Sequence, residues 1–136
     1  MNELDIQAVR ENLPDVLRFV EENIKETDCS LKVRMQLFVA VEEIFVNIAS
    51  YAYDPEVGRT FIRVETTEDP ITVKLLFIDN GHPYDPLAKE DPNLKIPLKE
   101  RRKGGLGIFM VKKTMDDVSS EYKDGQNILT IRKNIG

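Results

Sequence analysis

Glu43 and Asn47 stand four residues apart inside a strongly apolar segment, so on an α-helix they lie one above the other on a single face. A carboxylate there can handle a proton or a water, and a carboxamide oxygen is a hard ligand suited to magnesium. Two further segments could join them. Asp79-Asn80-Gly81 closes an apolar run. A carboxylate at a rigid strand end can accept from an exocyclic amine, and glycine lets a flat ring approach the backbone. Gly104-Gly105-Leu106-Gly107 precedes a helical run, where glycines bring free N–H groups and the positive helix end close to an anion. Taken singly, these segments read equally as a solvent-facing strip, a turn and a helix start. In this order, separated by strands, they predict a pocket for a nucleotide and its metal.

The glycine run fits neither of the two commoner nucleotide loops. Met110 stands where the dinucleotide fingerprint has its third glycine, and no strand leads directly into the run. A Walker loop needs Gly-Lys-Ser/Thr, whereas Lys103 here comes before the glycines. Arg101, Arg102 and Lys103 place positive charge beside the expected phosphate site, although such a run also suits a solvated loop.

Composition bounds the class. The 136 residues suit one domain, with 41% hydrophobic and 32% charged residues in an ordinary globular balance. A net charge of −5 argues against general nucleic-acid binding, which needs a basic face. The single cysteine, Cys29, can form no internal disulfide and fits a reducing compartment. No charged-then-apolar leader is expected at the start of the chain, and no apolar run is expected to approach the length of a membrane span. A cytoplasmic protein without direct membrane or nucleic-acid partners is expected.

The elements that must position these residues follow from periodicity. Residues 3–9 alternate as in a half-buried strand, and Asn12 is the expected N-cap of an amphipathic helix ending near Thr27. Ser30 caps a second helix expected from Leu31 to Tyr53, ahead of Pro55. Arg59–Thr67 and Ile71–Asp79 predict a hairpin turning at Glu68-Asp69-Pro70. Residues from Gly81 to Gly105 form a long proline-rich, charged connection, more than a compact domain keeps without purpose. A short helix over about Gly107–Met115 and a hairpin across Asp124-Gly125 close the chain. Helices and strands do not alternate one for one. The expected fold is therefore α/β (α+β): a two-layer α/β sandwich with a mixed, mainly antiparallel sheet and helices on one face.

On a wheel of about 100° per residue the second helix is apolar over most of its circumference, which predicts burial nearly all round. Lys32, Gln36, Glu43, Asn47 and Ser50 nonetheless share one narrow sector. Glu42 points elsewhere and reads as a structural or interface residue.

Together these residues resemble the ATP-binding (Bergerat) fold shared by gyrase, heat-shock chaperones, histidine kinases and mismatch-repair ATPases, the GHKL superfamily. Within it the chain is most similar to the anti-sigma-factor serine/threonine kinases. Their Glu-x-x-x-Asn motif is matched by Glu43 and Asn47, their Asp-x-Gly adenine motif by Asp79 and Gly81, and their glycine hinge by Gly104, Gly105, Leu106 and Gly107. Glu100-Arg101 resembles the place where the family carries an arginine that reaches the terminal phosphate, with Arg102 adjacent.

The resemblance implies one ATPase domain over 1–136 with a nucleotide lid over about 82–105. It implies ATP and Mg2+ as ligands, Glu43 as base, Asn47 as magnesium ligand and Arg101 as a catalytic cation. It also implies a homodimer whose partners are a sigma factor and an anti-sigma-factor antagonist of the STAS type, phosphorylated on serine or threonine. Two rival readings share the same motifs: a nucleotide-shaped binding module without kinase activity, and a small ATP hydrolase.

Overall fold

The structure is a computed structural model, and it describes residues 2–53, 55–68, 71–83 and 105–135. Five strands form one sheet: β1 (Asn2–Gln7), β2 (Arg59–Thr67), β3 (Thr72–Asp79), β4 (Asp117–Lys123) and β5 (Gln126–Asn134). The order across the sheet is β1-β2-β3-β5-β4. Every neighbouring pair is antiparallel, so the expected mixture of directions reduces to its antiparallel part. Among the described residues the α-helices are α1 (Leu13–Ile24), α2 (Leu31–Asn47) and α3 (Gly105–Thr114).

The core lies between the helices and one face of the sheet. Val16, Val20 and Ile24 of α1 and Leu37, Val41, Ile44 and Phe45 of α2 are buried with Ile62, Val64, Leu75, Phe77, Leu129 and Ile131 of the sheet. Each such side chain contributes about 1.5–3 kcal/mol on full burial. Alternate residues of the strands turn the other way. That face carries the cross-strand pairs Glu3–Arg63, Glu65–Lys74 and Asp117–Arg132, exposed enough to set register more than stability.

Several expectations need correction. β1 stops at Gln7. Asn12 holds the N-cap position of α1 as expected but makes no side-chain capping bond; its Nδ2 donates instead to the carbonyl of Gln7, 2.9 Å away. Ser30 does cap α2, accepting from Val33 N at 3.1 Å. α2 passes after Asn47 into a π turn, Ile48–Ala52, rather than continuing regularly to Tyr53.

Nor is α2 buried nearly all round. Leu31, Met35 and Val39 form an outward stripe at 72%, 51% and 46% exposure, and Glu42 is exposed beside them. Leu31–Ala52 spans 22 residues with a mean hydropathy of 1.2, long and apolar enough to cross a membrane by length and composition. Its buried face is that of a core helix packed on the sheet.

The β4–β5 turn follows its residues: Asp124 and Gly125 both take positive φ, 53° and 79°, as a tight hairpin turn of the Asp-Gly type requires. The β2–β3 turn residues Asp69 and Pro70, and the stretch 84–104, fall outside the described residues.

Candidate functional site

Asn47 ends α2 and is 5% exposed. Its Nδ2 is enclosed without a hydrogen-bond partner. An unpaired buried polar group costs about 1–3 kcal/mol, so the side chain demands an explanation. It faces a pocket shared with Asp79, Ser120 and Asn127, whose walls are Ile44, Ile48, Phe77, Ile108 and Leu129. The concavity measures about 350 Å3 including its open mouth. Both layers of the fold thus meet here: α2 with its π turn and α3 from the helical layer, and β3, β4 and β5 from the sheet.

Asp79 is the last residue of β3 and is 4% exposed. Its Oδ1 accepts from Gly81 N and from Asn127 Nδ2, each at 2.9 Å. Asn127 lies directly opposite it on β5, and the same Nδ2 donates to the carbonyl of His82 at 2.7 Å. Both donors approach Oδ1, so that among the described residues Oδ2 of this pocket-lining carboxylate has no donor. Gly81 is constrained by close approach, since a Cβ there would lie 2.1 Å from the carbonyl oxygen of Ala52.

Glu43 sits one turn before Asn47 on α2, against the start of α3. A Cβ on Gly107 would fall 1.8 Å from Glu43 Oε2, so a larger residue there would have to displace this carboxylate. Burial, and secondarily the neighbouring charge of Glu42, raises the Glu43 pKa above the ordinary carboxylate value. The polar sector ends at Ser50, whose Oγ accepts from Arg10 Nη2 at 3.2 Å.

Four of the expected site residues therefore converge: Asn47 and Asp79 in one pocket, with Glu43 and Gly107 in contact beside it. Gly105 and Leu106 belong to the first turn of α3. Arg101 and Gly104 lie outside the described residues.

Residues 6–133 match a family described as the histidine kinase-like ATPase domain. The chain belongs to that family. Among its relatives is the serine/threonine-protein kinase BtrW of Bordetella bronchiseptica, 27% identical over 128 residues that cover 94% of this chain and 89% of BtrW. The serine-protein kinase RsbW of Bacillus cereus is 27% identical over 95 residues, 67% of this chain and 58% of RsbW. A crystal structure of the RsbU and RsbW domains of Rv1364c from Mycobacterium tuberculosis has a TM-score of 0.66 and 16% identity, covering 99% of this chain and 33% of that one. That likeness speaks for the fold.

Sequence reasoning missed Asn127, Ser120 and Tyr53. Asn127 had a signal: residues 127, 129 and 131 of β5 all face the core, and a carboxamide in that inward series is out of character. Ser120 lines the pocket from β4, where alternation alone gives no hint. Tyr53 had no local signal, because its partners come from Arg59 and Asn80.

Proposed function

We propose that this chain binds ATP with magnesium and transfers the terminal phosphoryl group to a serine or threonine of a small anti-sigma-factor antagonist of the STAS type. In the alternative state of the switch it sequesters a sigma factor, acting as a cytoplasmic homodimer. The observation that carries this reading is the enclosed Asn47 amide, without a partner and in one pocket with Asp79, one helical turn from a carboxylate of raised pKa.

The residues fit ATP and magnesium. Turning the Asn47 amide over would present its oxygen where the unpaired nitrogen now lies. Among the described residues no cluster of three or more His, Cys, Asp or Glu could hold a metal. A magnesium ion held by Asn47 would thus draw its other ligands from phosphates and water, as that ion favours. Bound there, it would neutralise charge developing on the phosphate oxygens. Asp79 Oδ2 would accept from the exocyclic amine of adenine between the apolar walls. Glycines 104, 105 and 107, with Leu106, would offer N–H groups to the phosphates, and Arg101 would add a cation.

Glu43 would take the proton of the acceptor hydroxyl as its oxygen forms the new bond to phosphorus. The bond to the bridging oxygen then breaks, and ADP leaves. A raised pKa favours this role, because a base works best when its pKa approaches the operating pH. Incubation with labelled ATP and candidate antagonist domains tests the reading. Label on a serine or threonine is expected; none on any candidate, alongside tight sigma-factor binding, would favour the binding module.

Gly107→Ala provides an internal check. The added Cβ displaces the Glu43 carboxylate rather than the pocket walls. A misplacement of this size is expected to slow transfer about a hundredfold while equilibrium ATP binding changes little. Transfer at the wild-type rate in a folded variant would dissociate the position of Glu43 from the chemistry.

A further inference from the structure

Tyr53 follows the π turn and joins the two halves of the pocket. Its hydroxyl donates to the carbonyl of Arg59 at 2.5 Å and accepts the backbone N–H of Asn80 at 2.8 Å. One residue earlier, the carbonyl of Ala52 accepts from His82 N at 2.8 Å and lies against Gly81. Asn80, Gly81 and His82 are thus fastened in succession to the end of the helix that carries Asn47. Helix ends leave carbonyls without intrahelical partners, and here the loop after β3 supplies a donor. A π turn is a recurrent feature of functional sites. This one brings Ala52 and Tyr53 to that loop.

Asp79 takes part of its orientation from this clamp and part from Asn127 Nδ2 on β5. Its Oδ1 accepts from Gly81 N, so the carboxylate turns with the backbone that Tyr53 and Ala52 hold. A carboxylate held close to a base offers only an acceptor. A carboxylate that moves away admits water, which donates or accepts with equal ease and carries no preference. Burial raises the Tyr53 pKa, so its hydroxyl keeps its proton well beyond neutral pH and remains donor and acceptor at once.

We propose that Tyr53 is a positioning residue for base selectivity: its hydroxyl fixes the Asn80–Gly81 backbone so that Asp79 Oδ2 favours a 6-amino over a 6-oxo purine. The inference rests on the reading that this pocket holds the base of a nucleotide. The remaining support is geometric, since no other side chain among the described residues accepts from Asn80 N.

The test compares affinities of the full chain for ATP and inosine triphosphate, with inorganic tripolyphosphate as a probe that lacks a base. Wild-type protein is expected to prefer ATP. Tyr53→Phe removes one oxygen, and the ATP-to-inosine-triphosphate preference is expected to fall about tenfold, the size of one or two net hydrogen bonds. Tripolyphosphate binding should stay unchanged. Gly58→Ala is the second variant, because its Cβ would lie 2.2 Å from Tyr53 Cε1 and must push the ring aside. It should narrow the preference in the same direction even if the phenylalanine variant fails to fold. An unchanged preference in a folded variant, or equal weakening of all three ligands, would overturn the role of Tyr53 alone. A wild-type protein indifferent to the base would overturn the pocket reading as well.

Discussion

Glu43→Ala is expected to leave ATP binding within a few-fold of wild type and to lower the rate of phosphotransfer by about 10²–10⁴, the usual contribution of a general base. Binding should survive because the carboxylate lies beside the pocket rather than in its wall, packed over Gly107. The check is transfer of label to a verified antagonist domain, alongside equilibrium nucleotide binding. Retained transfer would remove Glu43 from the base role.

The pH dependence carries an independent sign. Burial raises the Glu43 pKa, so the carboxylate loses its proton later than an exposed one as pH rises. The wild-type rate should therefore climb with pH through a window above the ordinary carboxylate value, and Glu43→Gln should abolish that limb. Stability runs the other way. The folded state holds this proton more tightly than the unfolded chain, so its contribution is complete below the unfolded pKa and is lost as pH rises through the raised folded value. Glu43→Gln should accordingly raise Tm near neutral pH, and the gain should vanish below about pH 4, where both forms are neutral.

What the sequence disclosed follows from how local each signal is. The strand Arg59–Thr67 and the Asp124-Gly125 turn are written in alternation and in backbone preference, and both occur where expected. The polar pair on α2 was legible because Asn47, which is buried, contradicts its apolar surroundings at helical spacing from Glu43. The π turn was not legible. It is held by Ala52 against Gly81 and His82, a contact across the fold that no window of sequence contains. Asn127 escaped for the same reason, since its partner follows only from the β3–β5 register that sets it opposite Asp79. The outward stripe of Leu31, Met35 and Val39 was missed because apolar content alone does not say which side of α2 the sheet takes. Arg101 and Gly104 keep the status the sequence assigned them, outside the described residues.

Asp79→Asn is the second substitution with a large expected effect, and its sign depends on which oxygen does what. Oδ1 is engaged by Gly81 N and Asn127 Nδ2, both donors, so the new amide must keep its oxygen there. That constraint turns the amide nitrogen toward the pocket, replacing an acceptor by a donor at the position of Oδ2. Two donors then face each other across the site if the ligand is adenine. Losing a hydrogen bond to a charged group costs about 1.5–3 kcal/mol, so ATP affinity should fall roughly ten- to a hundredfold. A 6-oxo purine, which presents an acceptor, should lose far less or gain. The fold should persist, because the oxygen that ties Asp79 to Gly81 and Asn127 is retained. Titration of ATP and inosine triphosphate against the variant, with a melting curve to confirm folding, reads both directions at once. Equal loss of the two nucleotides in a folded variant would mean that Asp79 shapes the loop without touching the base.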